Sequence, residues 1–98
     1  MHKQKSVSAK DRRYIVVHHL IETGRITRFN EIFDILPKSI LATDLWMNNA
    51  RFEKLRKNVS LFQLKDLVRV ASLLEVDEMV VLTLIYNEFK EQKKSKRS

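Results

Sequence analysis

Glycine is nearly absent from this chain, which has one glycine and one proline among its 98 residues. Tight two-residue hairpins and phosphate-binding loops both need glycine, because their backbone angles and close approaches are costly for other residues. Folds built on many hairpins and Gly-rich nucleotide loops are therefore excluded. With 44% apolar residues, a chain of this length can bury one core. The sequence predicts one compact, mostly helical domain.

The chemistry available to this chain is narrow. It contains no cysteine, which removes disulfides, thiolate zinc sites and cysteine nucleophiles. His18 and Glu22 have i, i+4 spacing, but two ligands do not make a zinc site. No apolar run is long enough to span a membrane, and the polar N-terminus has no signal-peptide pattern. We expect a cytoplasmic protein that is not an enzyme, with no membrane, cofactor, metal or small-molecule ligand.

The formal net charge of +7 is concentrated at the two ends of the chain. Residues 1–13 contain five basic residues and one acidic residue, and residues 90–98 contain the same numbers. We predict a flexible basic tail at 1–9, a helical domain at 10–90 and a second flexible basic tail at 91–98. Two roles stay open for these tails, which either contact phosphate non-specifically or only add solubility.

The spacing of apolar residues predicts five or six helices. Their predicted ranges are residues 10–23, 27–36, 38–46, 48–57, 61–74 and 78–89. The first helix is predicted to end at Gly24 in a left-handed conformation, although its β-branched centre leaves a strand open as an alternative. Pro37 is predicted to end the second. The predicted N-cap residues of the second, fourth, fifth and sixth helices are Thr27, Asn48, Ser60 and Asp77.

The last predicted helix is apolar on nearly every face between Met79 and Phe89. A small domain cannot bury all faces of such a helix, which favours a surface for self-association. The residues predicted to form this homodimer interface are Met79, Leu82, Ile85, Tyr86 and Phe89. A fully buried core helix, or a strand, is the alternative.

Two short predicted helices, 38–46 and 48–57, follow one another through a tight turn at Trp46-Met47. This spacing is typical of a helix-turn-helix, whose second helix places its N-terminal side chains in the major groove of DNA. Asn49 can pair with adenine through its amide. The cations of this helix can reach guanine edges or phosphates, and they are Arg51, Lys54, Arg56 and Lys57.

Residues 40–76 resemble the lambda repressor-like (Xre-like) family of helix-turn-helix domains. The pattern that carries the resemblance consists of Leu41, Ala42, Leu45, Asn48, Phe52 and Leu55, followed by Leu64, Leu67, Ala71, Leu74, Val76 and Asp77. The resemblance implies a compact all-α bundle of five or six helices that binds double-stranded DNA in a sequence-specific manner. It also implies a transcriptional regulator, most often a dimeric repressor.

The resemblance also implies which residues of this chain contact DNA, from their positions within the family's pattern. The resemblance places Asn49, Ala50 and Lys54 where the family reads bases. It places the phosphate-contacting positions at Lys38, Asn48, Arg51, Arg56 and Lys57. The sequence departs from the pattern at Trp46, where glycine is frequent, and at Lys38, where glutamine is common. We expect Trp46 to pack over the turn rather than to serve as a stacking platform.

Several other interpretations of the same residues stay open. Asn49 can be part of the helix cap only, and Arg56 and Lys57 can merely complement the helix dipole. The whole domain can be a protein-interaction module, antitoxin-like or an adaptor, which keeps the helix-turn-helix scaffold without binding DNA. RNA binding through the basic tails is a further alternative.

Overall fold

A computed structural model of the chain describes residues 10–97, which are entirely α-helix, 3-10 helix and connecting turns. The α-helices are α1 (Arg13–Glu22), α2 (Lys38–Asp44), α3 (Asn49–Lys57), α4 (Leu64–Leu74) and α5 (Glu78–Arg97). Two short 3-10 helices cover Phe29–Asp34 and Val59–Leu61. The all-α prediction is confirmed for this part of the chain, and the strand alternatives for the first and last helices are wrong. The predicted tail at 1–9 lies outside the described residues.

Three predicted helix boundaries are confirmed, and all three depend on local hydrogen bonds. Gly24 has a φ of +77° just after α1, and the Arg25 N–H donates to the Leu20 carbonyl at 2.8 Å. At the start of α3, the Asn48 Oδ1 accepts the Arg51 N–H at 2.7 Å. At the start of α5, the Asp77 Oδ1 accepts a backbone N–H at 2.8 Å. These caps fix where α1 ends and where α3 and α5 begin.

The predicted helix at 27–36 is wrong in type and in its cap. The segment is a 3-10 helix, and Glu31 supplies the cap instead of the Thr27 hydroxyl. The Glu31 Oε1 accepts the N–H groups of Thr27 at 2.8 Å and Arg28 at 3.1 Å. Phe29 and Ile32 are both fully buried, and their spacing of three residues suits a 3-10 helix, in which side chains at i and i+3 lie in line.

The predicted N-cap role of Ser60 is also wrong. Its hydroxyl donates to the Asn58 side chain at 2.7 Å, and a 3-10 turn ends at Leu61. Phe62 then takes an extended conformation and packs edge-to-face on Phe29, with ring centroids 5.1 Å apart. The helix therefore begins only at Leu64. Asp66 closes its first turn by accepting the Gln63 N–H at 3.1 Å.

An aromatic cluster lies behind α3 and sets its orientation. Phe33 contacts Phe29 and Phe52 in edge-to-face geometry, with ring centroids 5.5 and 5.6 Å apart. Phe52 and Leu55 of α3 are buried against this cluster. The largest fully buried side chains of the whole core are Tyr14, Phe29, Phe52, Ile32, Leu36, Leu41 and Leu74. The opposite side of α3 is left on the surface.

The last helix, α5, is longer and more buried than predicted. It continues through residues 91–97, which are predicted from the sequence to belong to a flexible basic tail. Ile85 was predicted as an interface residue, but this is wrong because its side chain is only 7% exposed and belongs to the core of this domain. Phe89 packs partly against the same core. No helix within residues 10–97 combines the length and hydropathy needed to cross a bilayer.

Candidate nucleic-acid interface

The turn between α2 and α3 closes tightly although it has no glycine. Trp46 has a φ of +61°, and its N–H donates to the Thr43 carbonyl at 2.9 Å. The Met47 N–H donates to the Ala42 carbonyl at the same distance. A positive φ costs a bulky residue roughly 1–2 kcal/mol, which the surrounding structure must offset. The turn therefore contains a left-handed residue that is not glycine.

The side chain of Trp46 points into solvent and is 79% exposed, so the prediction that it packs over the turn is wrong. Its neighbours Leu45 and Met47 are the buried residues of the turn. The Arg69 guanidinium lies 3.6 Å from the centroid of the indole. Arg69 Nε also donates to the Asp44 carbonyl at 2.9 Å. One cation of α4 therefore contacts both the turn and the end of α2.

A buried tyrosine holds the same end of α2 from the other side. The Tyr14 hydroxyl donates to Asp44 Oδ2 at 2.7 Å, and the Tyr14 side chain is almost completely buried. Burial, followed by this hydrogen bond to a carboxylate, raises the pKa of Tyr14 far above its usual range. The phenol therefore stays protonated and donates at any physiological pH. With Arg69, it joins α1 and α4 to α2 and the turn that follows it.

The three residues predicted to read bases lie on the surface of α3. Asn49, Ala50 and Lys54 are all exposed, and Phe52 and Leu55 face the core. Ala50 and Lys54 are one turn apart, so they lie on the same face of the helix. Asn49 begins the helix, but its neighbour supplies the cap oxygen. These three side chains are therefore free to contact another molecule.

The ion pairs of Glu53 with three nearby cations are a feature that sequence reasoning missed. The Glu53 carboxylate accepts a hydrogen bond from Arg56 Nε at 3.3 Å. The ammonium groups of Lys38 and Lys57 each lie 3.9 Å from one of its oxygens. The hydrogen bond from Arg56, followed by the charges of Arg56, Lys38 and Lys57, holds the pKa of Glu53 below its usual range. Three of the predicted phosphate-contacting side chains therefore share one ionised acid.

The remaining predicted phosphate-contacting residues are Asn48 and Arg51. Asn48 uses its side-chain oxygen for the cap of α3. Arg51 is exposed, and among the described residues no carboxylate lies within 4 Å of its guanidinium. The same is true of the Lys54 ammonium. These two cations therefore carry the least neutralised positive charge of α3.

The C-terminal end of α3 is fixed by side chains from distant parts of the chain. The Arg56 carbonyl accepts hydrogen bonds from Asn30 Nδ2 at 3.0 Å and from Gln92 Nε2 at 2.9 Å. Gln92 Oε1 in turn accepts the Val59 N–H at 3.1 Å. Sequence reasoning gave no signal for these contacts because they join residues 26 to 36 positions apart. Both ends of α3 are therefore held by side-chain hydrogen bonds.

Behind these contacts lies a buried carboxylate. Glu88 is only 4% exposed, and its Oε1 accepts the Asn30 N–H at 3.0 Å. The Arg28 guanidinium donates to both of its oxygens, at 3.1 and 3.2 Å. Both hydrogen bonds come from Arg28 Nη1, and with the Asn30 N–H they connect α5 to the start of the 3-10 helix that supports the end of α3.

The surface so described is basic and carries the side chains of Lys38, Arg51, Lys54, Arg56 and Lys57. Within residues 10–97, no group of three His, Asp or Glu side chains is placed to hold a metal ion. No family model matches this chain, and no curated protein or solved structure matches it at a significant level. The function is therefore inferred from the geometry of α2, the turn and α3.

Proposed function

We propose that this protein binds double-stranded DNA through α2, the turn and α3, and that it regulates transcription as a homodimer, acting as a repressor. The observation that carries the proposal is the exposure of Asn49, Ala50 and Lys54 on a short helix whose two ends are held by side-chain hydrogen bonds. In this arrangement α3 is the recognition helix and α2 braces it across the groove. The lambda repressor-like organisation is part of the same proposal.

Each exposed side chain has a matching partner on a base edge. The Asn49 amide suits the N6 and N7 atoms of adenine, and the Lys54 ammonium suits the acceptors of guanine. The Ala50 methyl group suits the methyl group of thymine. Arg51, the Asn48 amide nitrogen and the cations around Glu53 lie at the edges of this face, where phosphates of the duplex run. We infer base reading in the middle and backbone contact at the margins.

Salt dependence of duplex binding tests the proposal. A labelled duplex of random sequence, followed by fluorescence anisotropy, should bind at low salt and be released as salt rises. Each neutralised phosphate contributes about −0.9 to the slope of log K against log salt, so three or more contacts give a slope of about −3 or steeper. Absence of binding at low salt, with one stoichiometric protein partner recovered instead, would support the interaction-module alternative.

Glu53 is expected to limit the affinity of this surface, because its negative charge faces the phosphates. The variant Glu53→Gln removes that charge and releases Lys38, Arg56 and Lys57 for the duplex. We expect the variant to bind random duplex several-fold more tightly at low salt, with a steeper salt dependence. The matched control is Glu91→Gln, since Glu91 pairs only weakly with Lys94 at 4.0 Å. Equal affinities for Glu53→Gln and the parent would show that this acid lies away from the DNA.

Dimerisation is proposed through one face of α5. Met79, Leu82 and Tyr86 are exposed, and with the half-buried Phe89 they form a stripe spaced by three, four and three residues. This spacing is that of a helix–helix seam. The helix begins with an acidic residue, Glu78, and its second half carries several lysines. Two antiparallel copies would bring opposite charges together, so we infer a two-fold pairing of α5 helices.

The variant Leu82→Glu is expected to convert the dimer into a monomer, because it places a charge in the centre of the seam. Sedimentation equilibrium measures the change directly, and the helical content of the variant should equal that of the parent. Val68→Glu is the control, since Val68 is an exposed apolar residue of α4 outside the seam. A monomeric Val68→Glu beside a dimeric Leu82→Glu would place the interface on α4 instead.

A further inference from the structure

A second cationic surface lies beside α3, between the turn and the first half of α4. It is a groove of about 410 Å³, which we call the Trp46 groove. The residues that line it are Leu45, Trp46, Met47, Arg51, Lys65, Asp66 and Arg69. Asn49, Ala50 and Lys54 are not among its lining residues.

Core packing does not explain the tryptophan at the turn, because its side chain is 79% exposed. Glycine accepts a positive φ without cost, whereas a bulky side chain does not. Trp46 nevertheless occupies this position and leaves most of its indole in solvent. One face of the ring is covered by the Arg69 guanidinium. The other face is available for a flat or apolar group of a ligand.

The charges around the indole are predominantly positive. Among the described residues, Arg51, Lys65 and Arg69 have no carboxylate within 4 Å of their charged nitrogens. The one acid of the groove, Asp66, is buried and accepts the Gln63 N–H. Arg69 is held in place by the Asp44 carbonyl, so its donors are oriented in advance. The groove therefore suits an anion attached to a flat or apolar group.

We propose that the Trp46 groove binds one nucleotide unit of the DNA duplex, outside the bases that α3 reads. Arg51, Lys65 and Arg69 hold its phosphate, and its deoxyribose packs on the open face of Trp46. Arg51 belongs to both surfaces, because it lies on α3 and also lines the groove. The groove therefore extends the contacts of the recognition helix towards α4. This inference rests on the proposed DNA-binding function.

The intrinsic fluorescence of the protein reports on this groove alone, because Trp46 is the only tryptophan in the chain. Duplex DNA is titrated into the full-length protein, with tryptophan emission and the anisotropy of a labelled duplex recorded in parallel. The expected result is a change in emission intensity and wavelength with the same midpoint as the anisotropy. A single strand of the same sequence and a nucleoside monophosphate are titrated as separate arms, and both should bind far more weakly than the duplex.

The matched variants are Lys65→Ala, in the groove, and Arg25→Ala, which removes an equal charge at an exposed site outside it. Lys65→Ala should weaken duplex binding about three- to tenfold and make the salt slope shallower by about 1. Arg25→Ala should bind like the parent. Trp46→Gly removes the indole, and glycine accepts the positive φ of this position. The variant should therefore remain folded, which cooperative unfolding in urea would show, and should bind the duplex less tightly than the parent.

Three results would overturn the inference. In the first, anisotropy shows that the duplex binds, but tryptophan emission stays constant and Lys65→Ala binds like Arg25→Ala. The groove is then not a DNA site, but the proposed function stands. If only the single strand or the monophosphate changes the emission, the groove binds nucleotides from another source. If no duplex binds at all, the inference and the proposed function fail together.

Discussion

Replacement of Lys54 by alanine is expected to weaken binding to the preferred duplex by about 5- to 150-fold, which corresponds to about 1–3 kcal/mol. Lys54 is exposed at the centre of the outward face of α3 and has no ion-pair partner among the described residues. If its ammonium contacts a base edge, its loss removes a hydrogen bond that only the correct base supplies. The variant should therefore lose discrimination as well as affinity.

The matched comparison is Lys57→Ala, one turn further along the same helix. Lys57 shares Glu53 with two other cations and is predicted to contact phosphate. Its loss should weaken all duplexes by a similar factor and leave the preference among them unchanged. Anisotropy titrations of both variants against the preferred duplex and a scrambled duplex measure the difference. If Lys54→Ala reduces binding to the two duplexes equally, Lys54 contacts the backbone and the assignment of base reading is wrong.

Replacement of Glu88 by alanine is expected to lower the free energy of unfolding by about 2–3 kcal/mol. Glu88 is buried, and its carboxylate accepts hydrogen bonds from the Arg28 guanidinium and the Asn30 N–H. Alanine would leave the Asn30 N–H without a partner, and Arg28 would keep only its ion pair with Glu31 at 3.4 Å. A loss of this size is a large part of the stability of a small domain.

Urea denaturation followed by circular dichroism measures this loss. Glu88→Gln keeps an acceptor for the Asn30 N–H and should retain part of the stability. Glu91→Ala removes an exposed acid of the same helix and should change the free energy of unfolding by less than about 0.5 kcal/mol. Similar values for Glu88→Ala and Glu91→Ala would show that the buried pair with Arg28 contributes little.

The features predicted correctly from the sequence are helix ends whose hydrogen bonds join residues close together in the chain. Gly24 ends α1, and Asn48 and Asp77 begin their helices, because each forms its hydrogen bonds with near neighbours in the chain. Ser60 has the same local pattern, but it does not cap a helix, and its hydroxyl donates to Asn58 instead. There the packing of Phe62 on Phe29, a contact between distant segments, delays the start of α4. Where two residues are equally good N-cap candidates by their local sequence, tertiary packing determines where the helix begins.

In the candidate site, too, local features are predictable from the sequence and contacts between helices are not. The exposure of Asn49 and Lys54 follows from helical periodicity, which also places Phe52 and Leu55 in the core. The pairing of Lys38 with Glu53 depends on how α2 crosses α3, and no sequence spacing encodes it. Within α5, periodicity alone could not separate the buried faces from the exposed face, because apolar residues occur on nearly all of them. The burial of Ile85 was therefore not predictable.

The most direct test of the central claim is selection of bound sequences from a library of random duplexes, performed with the parent and with Lys54→Ala. For the parent, a dimeric recognition helix predicts enrichment of a near-palindromic site whose half-sites are about one helical turn apart. For Lys54→Ala, the same site should be recovered with the preference relaxed at one base pair in each half-site. Recovery of no common sequence by the parent, or of identical sites by both proteins, would contradict the account.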